Sequence, residues 1–458
     1  MKSNLKSKKP SLSLCMIVKN EEEYLQECLE SVEDVVDEII LVDTGSTDRT
    51  VEIAKQFDAE VYHIPWHDDF AAARNESIKH ASGDWILQLD ADERLDPESK
   101  KELRHWLENN SKMCISVLID SPKEENNKGH ISRAHRLFRN LPGIQYSGRI
   151  HEQISPSVSK LKGEEGFTNI KVMHLGYNKS EVEMQAKSER NFLLLKRQLA
   201  EEPNNAYYHF TLAQNLILQK EYKQALTSLN TALKLGGLPK DIRCSIYNNL
   251  TEVHTKLGKY EEAVQFAAKA ISLSRNQTTS YLLLYEIYGY LDNPLRQIDC
   301  LESVLDITGK QKQSYNEVSL EAYVDETAIY INLGNRYLKT KKLEKAHNYF
   351  QKALEKDGNN FLALTGKANS FLETGDFQKA QELFERVHQQ APDDFGILEK
   401  LGWLAIKLQN FHKGIEIYEK LLTFHPENFN ILKRLAALYS KTGNLPKSKE
   451  HLLRLKSI

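Results

Sequence analysis

The stretch Gly83-Asp84-Trp85-Ile86-Leu87-Gln88-Leu89-Asp90-Ala91-Asp92-Glu93 decides the fold. Residues 85–89 are a short, nearly continuous apolar run that ends abruptly in carboxylates, the pattern of a strand buried on both faces. Working outward toward the N-terminus, a helical pattern covers 71–81, a strand pattern 60–64, a helix 50–57, a strand 38–42, a helix 22–32 and a first strand 12–18. This order predicts a buried, mostly parallel sheet between helices. On such sheets ligands bind at the carboxyl ends of the strands. That rule selects Val18-Lys19-Asn20, Asp43-Thr44-Gly45 and Asp90-Ala91-Asp92.

After about residue 181 the strand signal stops and helical patterns run on with an internal repeat. Ala346, Ala380, Gly414 and Ser448 recur in steps of 34, as do Phe350, Phe384, Tyr418 and Leu452. Leu333-Gly334, Lys367-Ala368, Leu401-Gly402 and Leu435-Ala436 keep the same step, and Gly358, Pro392 and Pro426 mark the closing turns. A 34-residue period with small residues where two helices cross is the tetratricopeptide pattern. Between about residues 307 and 324 the register is lost, so a loop or a longer helix is expected there.

At 458 residues the chain is long enough for two to four domains at roughly 100–200 residues each. A net charge of −3 gives no overall footprint for nucleic acid. Five cysteines without a C-x-x-C pair indicate neither a disulfide framework nor a cysteine zinc site. No apolar run reaches the ~20 residues that span a bilayer, and the basic opening segment lacks the apolar core of a signal peptide. A cytoplasmic protein with a flexible basic tail is the expectation.

The carboxylates of Asp90 and Asp92, two residues apart at a strand end, project alike and suit a hard divalent cation that also binds phosphate. Surface turns produce the same spacing, so the motif alone is weak. Asp43 likewise follows a strand, and the segment Thr44-Gly45-Ser46-Thr47-Asp48 can equally cap the next helix.

The order of these pieces resembles the family 2 glycosyltransferases. The matching segments are Cys15-Met16-Ile17-Val18-Lys19-Asn20-Glu21, Glu38 to Asp48, Ala73-Arg74-Asn75 and Gly83 to Glu93. Arg136-Leu137-Phe138-Arg139, Gly148-Arg149-Ile150-His151-Glu152 and Val172-Met173-His174-Leu175-Gly176-Tyr177-Asn178 extend the resemblance to the bacterial subgroup that includes sublancin-type peptide S-glycosyltransferases. It implies a GT-A, Rossmann-like α/β domain followed by an all-α tetratricopeptide solenoid. The expected division is a tail over 1–10, the transferase domain over 11–179, a linker helix over 180–205 and about seven helix pairs over 206–458.

The resemblance also implies roles. Val18 and Asn20 would line the nucleoside cleft, Asp43 would meet the uracil edge, and Arg74 the base or phosphate side. Asp90 would face the ribose, with Ala91 beside it. Asp92 would hold Mn²⁺ or Mg²⁺, closed from the far side by His174; a buried strand histidine bonded to a backbone carbonyl is the structural alternative. Glu152 would be the general base of an inverting transfer from a UDP-sugar. His151 and Glu152, read as strand neighbours, would point to opposite faces so that only one reaches the acceptor. Glu93 is the other base considered. The helix from about residue 180 to 201, with Arg190-Asn191 near its middle, either completes the acceptor side of the cleft or is a plain amphipathic linker. The expected partners are a nucleotide-sugar donor and a peptide or protein bound by the repeats, not nucleic acid. A cell-surface glycan acceptor, or a non-catalytic scaffold with a vestigial donor site, are the alternatives.

Overall fold

The computed structural model describes residues 9–108, 110–122, 130–175, 181–311, 320–322 and 324–457. Residues 1–8 of the basic tail, Gly176-Tyr177-Asn178 and the start of the expected linker at Ser180 lie outside them. The chain divides into two units, one of residues 1–290 with 306–323 and one of residues 291–305 with 324–458.

The first unit opens with β1 (Leu12–Val18), α1 (Leu25–Glu30), β2 (Glu38–Asp43), α2 (Thr50–Gln56), β3 (Glu60–His63), α3 (Phe70–His80) and β4 (Trp85–Gln88). It continues with β5 (Glu93–Leu95), α4 (Ser99–Glu108), β6 (Cys114–Ser121), β7 (His130–Arg139), α5 (Ser155–Lys160) and β8 (Glu165–His174). Helices α6 (Glu181–Glu201), α7 (Ala206–Leu218), α8 (Tyr222–Leu235), α9 (Lys240–Lys256), α10 (Tyr260–Leu273) and α11 (Thr278–Tyr290) follow. After α12 (Pro294–Gln311), β9 (Leu320–Ala322) completes a nine-stranded sheet of order β3-β2-β1-β4-β7-β6-β8-β5, in which β9 pairs with β7.

The apolar strands are buried because both sheet faces are covered. Leu12, Leu14, Met16 and Val18 of β1 join Leu25 and Leu29 of α1 and Leu103 and Leu107 of α4 in one core. Cys15, Ile40 and Ile86 turn the other way and pack with Ala71 of α3, Phe138 and Tyr146. At about 1.5–3 kcal/mol for each buried large apolar side chain, these two cores hold the sheet together.

Two sequence expectations need correction. The sheet is parallel across β3, β2, β1 and β4 and again between β6 and β8, but β7 runs antiparallel to both β4 and β6 and β5 antiparallel to β8, so the sheet is mixed. The strand signal also does not end near residue 181, because β9 returns to pair with β7 from the segment where the repeat register is lost. A three-residue edge strand carries no hydrophobic period, so the sequence could not announce it.

The second unit contains α13 (Glu326–Lys339), α14 (Leu343–Lys356), α15 (Phe361–Thr374), α16 (Phe377–Gln390), α17 (Phe395–Lys407), α18 (Phe411–Phe424), α19 (Phe429–Lys441) and α20 (Leu445–Ser457). Neighbours pack as α13 with α14, α15 with α16, α17 with α18 and α19 with α20. Polar caps recur with the repeat. The side chains of Asn360, Asp394 and Asn428 accept backbone N–H groups at the starts of α15, α17 and α19, and those of Asp376 and Asn410 at α16 and α18. Each such cap is worth about 0.5–2 kcal/mol.

The small residues of the repeat have the expected cause. A Cβ on Gly334 would stand 2.6 Å from the Phe350 ring and one on Gly366 only 2.2 Å from it. Phe350, Phe384 and Tyr418 are fully buried, whereas Leu452, at the same repeat position, is 47% exposed because no described helix packs over it. Gly366→Val should therefore cost about 1–3 kcal/mol, since the buried ring has no room to yield. A lowered thermal midpoint in Gly366→Val, against one that does not fall for Gly309→Ala at an exposed position of α12 where a Cβ meets nothing within 4 Å, checks the packing.

Candidate functional site

The carboxyl ends of β1, β2 and β4 converge as predicted for a sheet of this order. The end of β1 is tied to the turn after β2. The backbone N–H and hydroxyl of Thr44 donate to the Val18 carbonyl at 3.0 and 3.1 Å. Asn20, at φ +56°, accepts from the Thr47 N–H at 2.8 Å and donates its own N–H to Ser46 Oγ at 2.9 Å. Asp43 is buried, and its carboxylate receives the N–H of Ser46 at 3.0 Å, that of Gly45 at 3.3 Å and His63 Nδ1 at 3.1 Å. Burial raises its pKa, yet hydrogen bonds from Ser46, His63 and Gly45 hold the carboxyl below its ordinary value. Asp43 is thus the structural knot of this turn, whatever it does toward a ligand.

The strand β4 delivers Asp90 into a buried ionic cluster. Arg74 on α3 donates from Nη2 to Asp90 Oδ1 at 2.8 Å and from Nε to Glu152 Oε1. Arg136 on β7 donates from Nη2 to Asp90 Oδ2 at 2.9 Å and to Glu93 Oε1 at 2.6 Å, and from Nη1 to Gln88 Oε1. Glu93 Oε2 accepts the Asp90 N–H at 2.9 Å. Burial alone would raise the Asp90 pKa, but the two guanidiniums hold it far below the carboxylate range. Burial pushes Glu93 upward; the Asp90 charge adds to this and Arg136 opposes it. Two adjacent carboxylates are thereby driven apart in proton affinity, a feature common at functional sites.

The Asp90–Glu93 turn is clamped from the side by Arg94. Its Nη1 donates to the carbonyls of Ala91 at 2.7 Å and Glu93 at 2.8 Å, and its Nη2 to that of Tyr24 at 2.6 Å. Ala91 is buried in the turn. From this turn β5 pairs antiparallel with β8, setting Glu93 opposite His174. That register brings His174 Nε2 to 3.4 Å from Asp92 Oδ2, although the two residues are 82 positions apart. Burial lowers the His174 pKa, but Asp92 with Glu93 and Asp90 raises it above its ordinary value overall.

An imidazole nitrogen and a carboxylate oxygen at this separation fit adjacent positions around one divalent ion with bonds of about 2.0–2.2 Å. Among the described residues, no group of three or more His, Cys, Asp or Glu forms a complete metal cage. An ion held by these two donors alone would take its other ligands from substrate oxygen or water, as Mg²⁺ on phosphate substrates does.

The structure brings Arg74, Asp90 and Glu152 together, and Asp92 with His174. Arg74 is buried, with Nε on Glu152 and Nη2 on Asp90, while its Nη1 has no hydrogen-bond partner among the described residues. His151 and Glu152 are not strand neighbours; His151 sits in a bend at φ +54° and is exposed, while the Glu152 side chain is 13% exposed and turned toward Arg74. The backbone reversal separates them without any pleat. Arg136, noted in sequence only as part of a motif, is the central cation of the cluster. Strand β7 pairs Leu137 with Ile115 and His135 with Ser116, so Arg136 is an extra, bulged residue. Bulges re-aim side chains beside functional sites, and a charged residue within a strand pattern was the available signal.

Helix α6 packs directly on this unit's loops. Gln198 Oε1 accepts the Ile150 N–H at 3.1 Å, Arg149 pairs with Glu201 at 2.7 Å, and Arg197 with Asp68 at 2.6 Å. The Arg190 guanidinium lies over the Phe70 ring at 5.4 Å, and Leu194 and Leu195 bury against Ile150. The helix is thus a wall of the segment that carries Glu152.

Residues 13–161 match the model described as glycosyl transferase family 2, and residues 243–276, 337–404 and 398–428 match tetratricopeptide repeat models. The matched N-terminal segment is a family 2 glycosyltransferase domain, and tetratricopeptide repeats follow it. The chain is 38% identical over 261 residues to a TPR repeat-containing protein of Synechococcus elongatus, covering 55% of this chain and 64% of that one. It is 33% identical over 231 residues to the SPbeta prophage-derived glycosyltransferase SunS of Bacillus subtilis, covering 50% of this chain and 54% of that one. An uncharacterized glycosyltransferase of Rickettsia felis is 38% identical over 94 residues, 20% of this chain and 33% of that one. The chain thus spans less than two thirds of the length of each of these relatives. No helix among the described residues is long and apolar enough to cross a membrane.

Two outcomes follow, one from the cluster and one from the turn at Asp43. Arg136→Met strands the buried Glu93 carboxylate and should cost about 3–5 kcal/mol, most of which Arg136→Met with Glu93→Gln should recover because the amide needs no counter-charge; denaturant titration of single and double variants measures this. Because the Asp43 pKa is depressed in the fold, its contribution is present above its unfolded value and lost as pH falls through the folded one. Asp43→Asn should accordingly lose less stability than wild type between pH 5 and pH 3, read from thermal midpoints across that window.

Proposed function

We propose that the chain is an inverting, metal-dependent glycosyltransferase that moves a sugar from a nucleotide-sugar donor, a UDP-sugar, to a peptide or protein side chain. The observation that carries this reading is the meeting of Asp92 with His174 beside the Arg74–Asp90–Glu152 cluster, at the strand ends where family 2 domains bind their donors. In this reading Val18, Asn20 and Asp43 form the nucleoside end of the cleft, and Asp90 with Ala91 the ribose side. Asp92 and His174 hold Mn²⁺ or Mg²⁺. When bound, such an ion neutralises the diphosphate and so makes it a better leaving group.

Glu152 is the general base. Arg74 holds its Oε1, which leaves Oε2 to take the acceptor proton as the acceptor oxygen or sulfur attacks the anomeric carbon. One base and one direct displacement invert that carbon. Arg74 is accordingly a positioning residue that locks Glu152 and Asp90 in a common frame. His151, exposed in the bend beside Glu152, serves at the acceptor side. The repeats are read as the surface that holds the polypeptide acceptor or a partner, since stacked repeats present extended binding faces.

Transfer assays with UDP-sugars and Mn²⁺ or Mg²⁺ test the reading. Glu152→Gln should keep donor binding near wild type while transfer falls by roughly 10²–10⁴. Asp92→Ala should abolish the cation-dependent part of the thermal stabilisation by UDP. Equal stabilisation by UDP in chelator, or full transfer by Glu152→Gln, overturns the metal and base assignments respectively.

A further inference from the structure

The second unit carries a repeated array of cations on one pair of helices. Lys400 on α17 lies 5.2 Å from the Phe384 ring centroid, and Arg434 on α19, 34 residues later, lies 5.3 Å from that of Tyr418, 34 residues after Phe384. Lys407 stands 5.9 Å from the Phe377 centroid, and Lys441 stands 5.0 Å from that of Phe411, again one full repeat apart. On each helix the two cations are seven residues, or two turns, apart, so they share a face about 10 Å long. The same positions on α15 hold Gly366 and Glu373, so the array does not extend to α15.

Three of these four charges are not paired with carboxylates among the described residues. Lys400 is half-buried and donates to the neutral Asn369 Oδ1 at 2.6 Å, and Arg434 donates to the Tyr418 hydroxyl. Among the described residues, Lys400, Lys407 and Lys441 make no ion pair, and Arg434 reaches Glu399 only at 4.0 Å. Long cationic side chains laid over aromatic rings are pre-ordered, which lowers the entropy lost when an anion docks on them. Trp403, whose ring lies 5.2 Å from Lys407, adds an apolar contact between the charges.

We infer that Lys400, Lys407, Arg434 and Lys441 form a docking face for an extended acidic peptide. A run of 10 Å corresponds to about three residues, one turn, of a polyproline II chain, so carboxylates at every third position lie on one side of it and meet successive cations. The Asn369 amide and the Trp403 ring between them suit a polypeptide backbone and side chains, where a nucleic acid or a lipid surface needs only charge. The inference rests on the reading of the repeats as a polypeptide-binding surface and adds the charge class of the polypeptide.

The test is fluorescence anisotropy on the full chain with three labelled probes: a dodecapeptide with Glu at every third position, its Gln counterpart, and a twelve-nucleotide DNA single strand. The acidic peptide should bind at least about tenfold more tightly than the Gln peptide, and more weakly as salt rises. Lys400→Glu with Arg434→Glu, and separately Lys407→Glu with Lys441→Glu, should each weaken it by about tenfold or more, while Lys449→Glu on α20 leaves it unchanged. Circular dichroism checks each fold; if the first pair unfolds, the second, at exposed positions, decides. Equal binding of both peptides, insensitivity to the reversals, or tighter binding of the oligonucleotide overturns the inference. Binding of neither peptide overturns the polypeptide-binding reading with it, whereas equal binding of both leaves that reading standing.

Discussion

Asp90 between two buried guanidiniums is the constraint on which the rest of the site depends. Arg74 comes from a helix on one face of the sheet and Arg136 from a bulge in a strand, and each spends a second contact on another carboxylate, Glu152 or Glu93. An ion of either sign left alone in such an interior would cost several kcal/mol. The cluster is therefore stable only when all its members are in place, and it fixes three separate chain segments to one another within hydrogen-bond tolerance.

The consequences run outward. With Asp90 and Glu93 fixed, the turn between them has one conformation, reinforced by Arg94 beneath it, and Asp92 is presented to β8. Fixing Arg74 orients Glu152 at the end of a bend that has no regular structure of its own. Helix α6 supports that bend from the other side through Gln198 and Glu201. The loop that bears Glu152 gains in this way the rigidity that an element of secondary structure would give it.

The repeats obey a different physics. Each helix pair is closed by local terms, polar caps at fixed steps and a ring wedged against glycine or alanine, and each contacts mainly its neighbours. Positions free of those demands vary from repeat to repeat. The cation array on α17 and α19 is written in such positions, which is why α15 lacks it.

The amino-acid sequence by itself determined the early strands and helices, because an apolar run or a 3.6-residue period is a local signal, and the repeats, because a step of 34 is visible by subtraction. It also marked Asp43, Asp90, Asp92, Glu152 and His174, since those residue types in that order form a motif. Tertiary structure alone decided how they meet. The antiparallel strands of the sheet, the bulge that aims Arg136, the register that sets His174 beside Asp92, the contacts of Arg74 and the strand β9 all depend on pairings between distant segments. Such pairings are chosen by what the whole core can bury and which charges it must neutralise, and no local period in the chain encodes that choice.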